Sequence, residues 1–363
     1  MYTEVLFDAD HKPTDQEIRA ILARSNKECP LSSFIGNEEA LRILSAIAFC
    51  AWRNSNHAVV DYSAGHGEKT NIALVGPAGF GKTTLARKFA QTVVLPFIEL
   101  GRISDIQQIY DAIADAMDKY ETPLYEEDDK CLVPPCTIFV DEVHKYVGKT
   151  RKVPNGIMAE LLKATEPDDS ILTKQGQWTL DCRQICWIVS TTDWHQLPKP
   201  FRDRFEVIEL RPYSKNEVVD ILLARFPKVP RPVAACAAKY GKNVPRLAIG
   251  FIKSFKHEKN YAGSSWEEAV ARIVVNKGID SLGIDRSTRE VIGALNEGEY
   301  TGIERLVCMS GRSYIEVVDE IIPGLIGMGQ NWIKLTPKGI TLLPEGAIYK
   351  AQHCTKEKEL DAA

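Results

Sequence analysis

The sequence predicts an α/β fold in which a parallel sheet covered by helices is followed by a small all-helical domain and a winged helix. Between Asn71 and Leu210 five short apolar runs alternate with helical segments. After Arg211-Pro212 strand signals stop and capped helices take over. Beyond Asp280 three short helical segments precede a single hairpin. Alternating strands and helices fold as a parallel sheet with crossover helices. With 363 residues the chain exceeds the roughly 100–200 of one domain, so several cores are expected.

Residues 1–30 read as an extension with a helix over about Asp15 to Ala23, broken by Cys29-Pro30. Residues 31–212 form the α/β domain. It opens with a helix that places Leu41, Leu44, Ile47 and Ala48 on one face behind an Asn37 cap. The strands are IALV (72–75), VLPFIEL (94–100), CTIFV (136–140), ICWIVS (185–190) and VIEL (207–210). The acidic run EEDD (126–129) reads as a solvated loop. Residues 213–279 form the helical domain, with capping boxes at Ser214–Glu217 and Ser265–Glu268 and a helix at about 232–239 and 245–256. In 280–350, boxes at Ser287–Glu290, Thr301–Glu304 and Ser313–Glu316 open three helices, and WIKLT-PKG-ITLL is a hairpin. Residues 351–363 read as a polar tail.

An apolar fraction of 44% and a charged fraction of 26% exclude disordered and fibrous classes. The net charge of -4 provides no global basic field, so any nucleic-acid binding must be local or shared among subunits. The nine cysteines form no CxxC pair and read as reduced thiols. Acidic residues stand where a secretory leader needs basic ones, and no apolar run nears the roughly 18 residues that span a bilayer, so no membrane association and a cytoplasmic location are expected.

Gly76-Pro77-Ala78-Gly79-Phe80-Gly81-Lys82-Thr83 fits the phosphate-loop pattern GxxxxGK[ST], and it lies between the strand IALV and the helix that begins with Thr83-Thr84. Glycines let the backbone N–H groups curl around phosphates, and the helix N-terminus favours negative charge. Lys82 would reach the β and γ phosphates of ATP, and Thr83 would offer its hydroxyl to Mg²⁺. CTIFV ends in Asp141-Glu142, carboxylates at a strand's C-terminal edge, where parallel sheets bind ligands. Asp141 would hold Mg²⁺ through water, and Glu142 would orient and deprotonate the attacking water. His144 reads as a packed or capping residue rather than a metal ligand.

These motifs with a helical lid resemble AAA+ proteins, and from about Leu31 to Tyr349 the chain resembles the RuvB family of Holliday junction branch-migration motors. LSSFIGNEEAL resembles the family's opening segment, which implies that Ile35 contacts adenine; NIALVGPAGFGKTTLARKFA resembles its P-loop; IFVDEVHKY resembles its Walker B strand. ATEPDDSILTKQGQWTLDCRQICWIVSTTDW resembles the segment bearing a β-hairpin before the sensor-1 strand. That implies Thr192, with Thr191 as a near alternative, for the sensor residue, and a RuvA-like partner docking at the hairpin near 168–182. LPKPFRDRFEVIELRPYS resembles the arginine-finger box and implies that Arg204 reaches a neighbour's γ-phosphate; a local salt-bridge cluster of Arg202 and Arg204 is the alternative. YGKNVPRLAIGFI resembles the sensor-2 motif and implies Arg246 over the nucleotide. SYIEVVDEIIPGLIGMGQNWIKLTPKGI resembles the end of the winged-helix domain and implies DNA contacts from Arg312 and Lys338, although a winged helix can also bind protein.

The resemblance implies a homo-oligomeric ring, a hexamer, that hydrolyses ATP to translocate DNA. The alternatives are a loader or remodeller of a DNA-bound clamp, helicase or recombinase, and a nucleotide-gated DNA-binding scaffold. The chain departs from the family pattern at Ala78 and Asp193, in the hairpin sequence, and over about 101–135.

Overall fold

The structure is a computed structural model that describes residues 30–53, 60–61, 68–101, 103, 105, 107–119, 125–127, 130–147, 157–167, 171–173, 179–328 and 331–354. The expected helix at Asp15 to Ala23 lies outside these residues, as do the hairpin tip at 174–178 and the tail from 355. Two compact units divide the chain: one comprises the residues through Gly76 and Lys82–Leu210, the other Pro77–Gly81 and Arg211 onward.

The first unit is built on strands β1 (Ile72–Val75), β2 (Phe97–Leu100), β3 (Cys136–Val140), β4 (Ile185–Thr191) and β5 (Glu206–Glu209), all parallel, in the order β5-β1-β4-β3-β2. Alternation along each strand feeds two cores, because successive side chains point to opposite faces. Ile72, Leu74, Phe139, Cys186, Ile188 and Ile208 face one side. There they meet Leu44 and Ala48 of α1 (Glu38–Arg53) and Leu85 and Phe89 of α2 (Lys82–Val93). Ala73, Ile138, Val140, Trp187 and Val189 face the other, against α3 (Gln107–Lys119) and α4 (Ile157–Ala164). Leu41 and Ile47 complete the α1 stripe as partly buried neighbours. The opening segment is tied to α2, with the Leu31 N–H donating to Thr92 Oγ1 at 3.1 Å and Lys88 Nζ to the Pro30 carbonyl at 3.3 Å.

Two expectations change in this unit. Only Phe97–Leu100 of the run 94–100 is strand, because Val94 adopts φ 59° and the Leu95 N–H donates to the Ala90 carbonyl, which ends α2 in a tight turn. The run EEDD is not simply a loop: Tyr125–Glu127 pairs antiparallel with Lys130–Leu132, which continues through Thr179–Asp181 to Ile171–Thr173 in a four-stranded sheet. Burial of Cys131, Leu172 and Leu180 against the main core decides this, and local charge does not register it. The expected hairpin around 174–176 is the Ile171–Thr173 and Thr179–Asp181 pair.

The second unit contains α5 (Lys215–Arg225), α6 (Arg231–Tyr240), α7 (Pro245–Ala262) and α8 (Trp266–Asn276), with both expected capping boxes formed at Ser214 and Ser265. It continues with α9 (Arg286–Ala294) and α10 (Ile303–Ser310), then a π-helical turn, Glu316–Ile321, leading into α11 (Ile322–Gly327). Strands β6 (Ile333–Thr336) and β7 (Gly339–Leu342) form the wing hairpin, and α12 (Pro344–His353) follows. The helices from α5 to α8 and the helices and hairpin that follow thus belong to one compact unit. Pro323 has no N–H to give the Asp319 carbonyl, and the widened turn sits immediately upstream of it.

Of the three capping boxes expected here, only Ser313 accepts from its Glu316 N–H, at 3.2 Å. Asp285, not Ser287, caps α9 through the Thr288 N–H at 2.7 Å. Thr301 is not a cap but forms an isolated antiparallel bridge: it exchanges two backbone hydrogen bonds with Ile340, of 2.8 and 2.9 Å, and Gly302 precedes the helix. Gly339 permits that approach, since a Cβ there would stand 2.5 Å from the Thr301 carbonyl oxygen. α12 extends to His353, into the stretch expected to be polar tail.

Candidate active site

Gly79 and Gly81 adopt φ 82° and 90°, conformations that side chains disfavour, and these let the loop curl. In the first unit Lys82 opens α2, is buried, and donates from Nζ to the Gly76 carbonyl at 2.6 Å. Thr83 is half-buried beside it and Thr84 is exposed. In the second unit a Cβ on Gly79 would meet Val244 Cγ1 at 3.0 Å and Arg246 Cβ at 3.1 Å, so the stem of Arg246 lies directly against the loop. Phe80 is pinned from the same unit: Tyr213 Oη donates to its carbonyl at 3.0 Å and the rings meet edge to face.

Asp141 and Glu142 leave the C-terminal end of β3 half-buried, and neighbouring groups orient both. The Ser190 hydroxyl donates to Asp141 Oδ1. The Glu142 N–H reaches Asp141 Oδ1 at 3.1 Å and Ser190 Oγ at 3.2 Å. Glu142 has φ 51°, a left-handed backbone that costs on the order of 1–3 kcal/mol and is held by these bonds. His144 Nδ1 stands 3.3 Å from Glu142 Oε2 and 2.8 Å from Thr191 Oγ1. Burial holds the imidazole below its ordinary pKa against the opposing pull of the Glu142 carboxylate, so the ring is neutral at neutral pH.

Thr191 is fully buried within this network, whereas Thr192 is exposed just past the strand end. Ile35 is half-buried ahead of Gly36 and Asn37, whose φ values of 79° and 55° turn the chain into α1. Arg204 is half-buried and engaged within its own chain: Nε donates to Glu166 Oε2 at 2.8 Å, Nη2 to the same oxygen, and Nη1 to the Pro200 carbonyl. The Nε of Arg202 is buried without a hydrogen-bond partner among the described residues. In the winged helix, Arg312 is held by Glu290, with Glu316 at 3.8 Å, and Asp319 and Glu320 are exposed on the turn that follows. Lys334 and Lys338 of the wing are exposed.

The donor set fits Mg²⁺. Among the described residues no three His, Cys, Asp or Glu side chains converge as a protein-only cage, and Mg²⁺ needs none, because it binds through one or two carboxylates together with phosphate oxygens and water.

The family model for ATPases associated with various cellular activities (AAA) matches residues 72–213, which span the P-loop, Asp141-Glu142 and Arg204. The Holliday junction branch migration complex subunit RuvB of Methanoregula boonei is 25% identical over 355 residues, or 90% of this chain and 92% of that one. The Thermotoga maritima RuvB branch migration motor has the same fold, with a TM-score of 0.61, 20% identity, and coverage of 88% of this chain and 96% of that one. The chain resembles RuvB-type AAA+ ATPases over most of its length, and the AAA match falls in its α/β unit. Its similarity to the Lon protease of Escherichia coli is of another extent: 25% identity over 240 residues, only 30% of Lon.

Sequence reasoning named the loop, the carboxylate pair and Arg246, but not the polar groups that contact Asp141, Glu142 and Arg204 in this RuvB-like chain. Ser190 and Glu166 carried no motif. His144 offered one signal, its position two residues beyond Glu142 where the chain turns into a one-turn helix, His144–Val147. Among the described residues no helix is long and apolar enough to cross a membrane.

Proposed function

We propose that this RuvB-like ATPase is a DNA motor that hydrolyses ATP at the subunit interfaces of a hexameric ring and drives branch migration of Holliday junctions in the cytoplasm. The single observation that carries this reading is the extent of the RuvB likeness, which includes the lid and winged-helix regions as well as the ATPase core.

In this reading the loop from Gly76 to Thr84 holds the triphosphate and Ile35 lies at the adenine. Thr83 and Asp141 hold Mg²⁺, which when bound neutralises charge on the phosphate oxygens. Glu142 orients the attacking water and takes its proton. Thr192 contacts the γ-phosphate at the end of β4, and Arg246, already seated against Gly79, reads the nucleotide state from the lid. Arg204 leaves Glu166 and stabilises the transferring phosphoryl group of the adjoining subunit. Arg312 and Lys338 face DNA phosphates, and the hairpin near 168–182 docks a RuvA-like partner.

ATP turnover measured against duplex, forked and four-way DNA, with electron microscopy of the same samples, tests this. Rings that form on DNA and separate a labelled four-way junction into duplexes, with ATP but not ADP, are expected. Turnover without any junction movement, with and without a RuvA-like protein, overturns the motor. A second reading, an AAA+ loader or remodeller of a DNA-bound protein, is favoured by one observation: Arg312 is neutralised by Glu290 and precedes an acidic turn, a poor surface for phosphates.

A further inference from the structure

The groups around Glu142 hold a hydrogen-bond conflict. Thr191 Oγ1 accepts the Asp193 N–H at 3.0 Å and stands 2.8 Å from His144 Nδ1. The same nitrogen stands 3.3 Å from Glu142 Oε2. When Nδ1 accepts from the Thr191 hydroxyl it carries no hydrogen for the carboxylate; when it carries the hydrogen, the hydroxyl oxygen and the carboxylate compete for it. Thr191 therefore draws on the same nitrogen as Glu142 in either tautomer, and the outcome sets how firmly Glu142 is held.

The location gives the choice a consequence. Thr191 is the last residue of β4, buried, and it immediately precedes Thr192. Ser190, one residue earlier, orients Asp141 and receives the Glu142 N–H. A shift at the end of this strand reaches Glu142 by two routes, through its backbone by Ser190 and through its side chain by Thr191 and His144.

We propose that His144 is a positioning residue that couples the end of β4 to the carboxylate of Glu142, so that a γ-phosphate contact at Thr192 is converted into the hydrolytic orientation of the water-activating group. This rests on the reading of Glu142 as that group. With Thr191 drawn toward the phosphate, Nδ1 is released to hold Glu142; with the phosphate gone, Thr191 reclaims the nitrogen. His144 does not touch the nucleotide in this scheme.

The test compares E142Q, H144L, H144N, T191V and the double variant H144L/T191V in the assembled protein with DNA, reading kcat for ATP and, separately, the affinity for a non-hydrolysable ATP analogue. H144L is expected to lower kcat about 10- to 100-fold, as for a catalytic group left out of position, with analogue affinity within about twofold. H144N, whose amide places a hydrogen-bonding atom near the position of Nδ1, is expected to recover most of the loss. H144L/T191V is expected to be no slower than H144L, because two residues on one path do not add. Turnover by H144L within about twofold of the parent, or losses in the double variant that multiply, overturns the proposal. Should H144L not fold, H144A takes its place with the same expected and overturning outcomes. E142Q separates the two readings. Normal turnover by E142Q removes the premise, whereas an inactive E142Q beside a fully active H144L removes only the role of His144.

Discussion

At the scale of single residues, Arg204 shows how magnitudes separate two roles. Its ion pair with Glu166 is partly exposed, with side-chain accessibilities of 21% and 42%. Such a pair contributes at most about 1 kcal/mol. A guanidinium placed on a transferring phosphoryl group is worth about 10³- to 10⁵-fold in turnover. Arg204→Ala is therefore expected to lower the melting temperature by no more than a few degrees while nearly abolishing ATP turnover and sparing ATP binding. Steady-state kinetics beside a thermal melt checks this, and parallel loss of binding and turnover would remove the trans role. Gly79 offers a second test. Gly79→Val forces a β-branched side chain into φ 82° and against Val244 and Arg246, and a loss of ATP affinity of at least tenfold is expected by nucleotide titration.

Secondary-structure elements are decided by a mixture of local and distant terms. The Ser214 box is local. Its hydroxyl accepts the Glu217 N–H, the Glu217 carboxylate accepts the Ser214 N–H, and Glu217 is held below its ordinary pKa by Ser214 and Arg211 despite partial burial. Ser214→Ala is expected to cost about 1 kcal/mol, seen as a lower midpoint in chemical unfolding at unchanged slope. This element and the α1 stripe were legible from spacing alone. Thr301 was not. Its spacing to Glu304 satisfies the capping pattern, yet two backbone bonds to Ile340, 39 positions away in the chain, bridge it to the wing hairpin. Tyr125–Glu127 likewise carries the charge of a loop and is a strand because Lys130–Leu132 lies beside it. α12 was legible in principle from Pro344 at its first turn.

At the scale of the molecule, the helices α5–α8 and the C-terminal helices and hairpin share a compact unit that contains a buried lysine. Lys242, 3% exposed with φ 54°, donates to Asp285 at 3.2 Å and to Thr288, and so ties the loop before α7 to the cap of α9. Gly327 packs so closely that a Cβ would stand 2.4 Å from the Lys242 carbonyl oxygen. Burial favours the neutral forms of both partners. For Lys242 it prevails and lowers the pKa; for Asp285 the ammonium and the Thr288 N–H and hydroxyl prevail and hold the carboxyl below its ordinary 3.8. A carboxyl with a lowered folded pKa contributes stability that is present above its unfolded value and lost as pH falls through the folded one. Thermal stability is therefore expected to decline below about pH 4 in the parent and less steeply in Asp285→Asn, which would itself be destabilised by about 3–5 kcal/mol at neutral pH because Lys242 remains buried without its counter-charge. Melting curves from pH 3 to pH 7 check both, and identical pH profiles would show that the pair does not carry the effect.

The sequence by itself determined the glycine-rich loop between β1 and α2, the Asp141-Glu142 pair at the end of β3, the alternation of the sheet and the order of its segments, because each depends on residues within a turn or a strand of one another. Tertiary structure alone decided which groups orient those residues: Ser190 on Asp141, His144 between Glu142 and Thr191, Glu166 on Arg204, and Lys242 beneath Asp285. The physical reason is range. Backbone periodicity and capping act over a few positions, whereas a buried polar group takes its partner from whatever strand or helix the packed core places next to it.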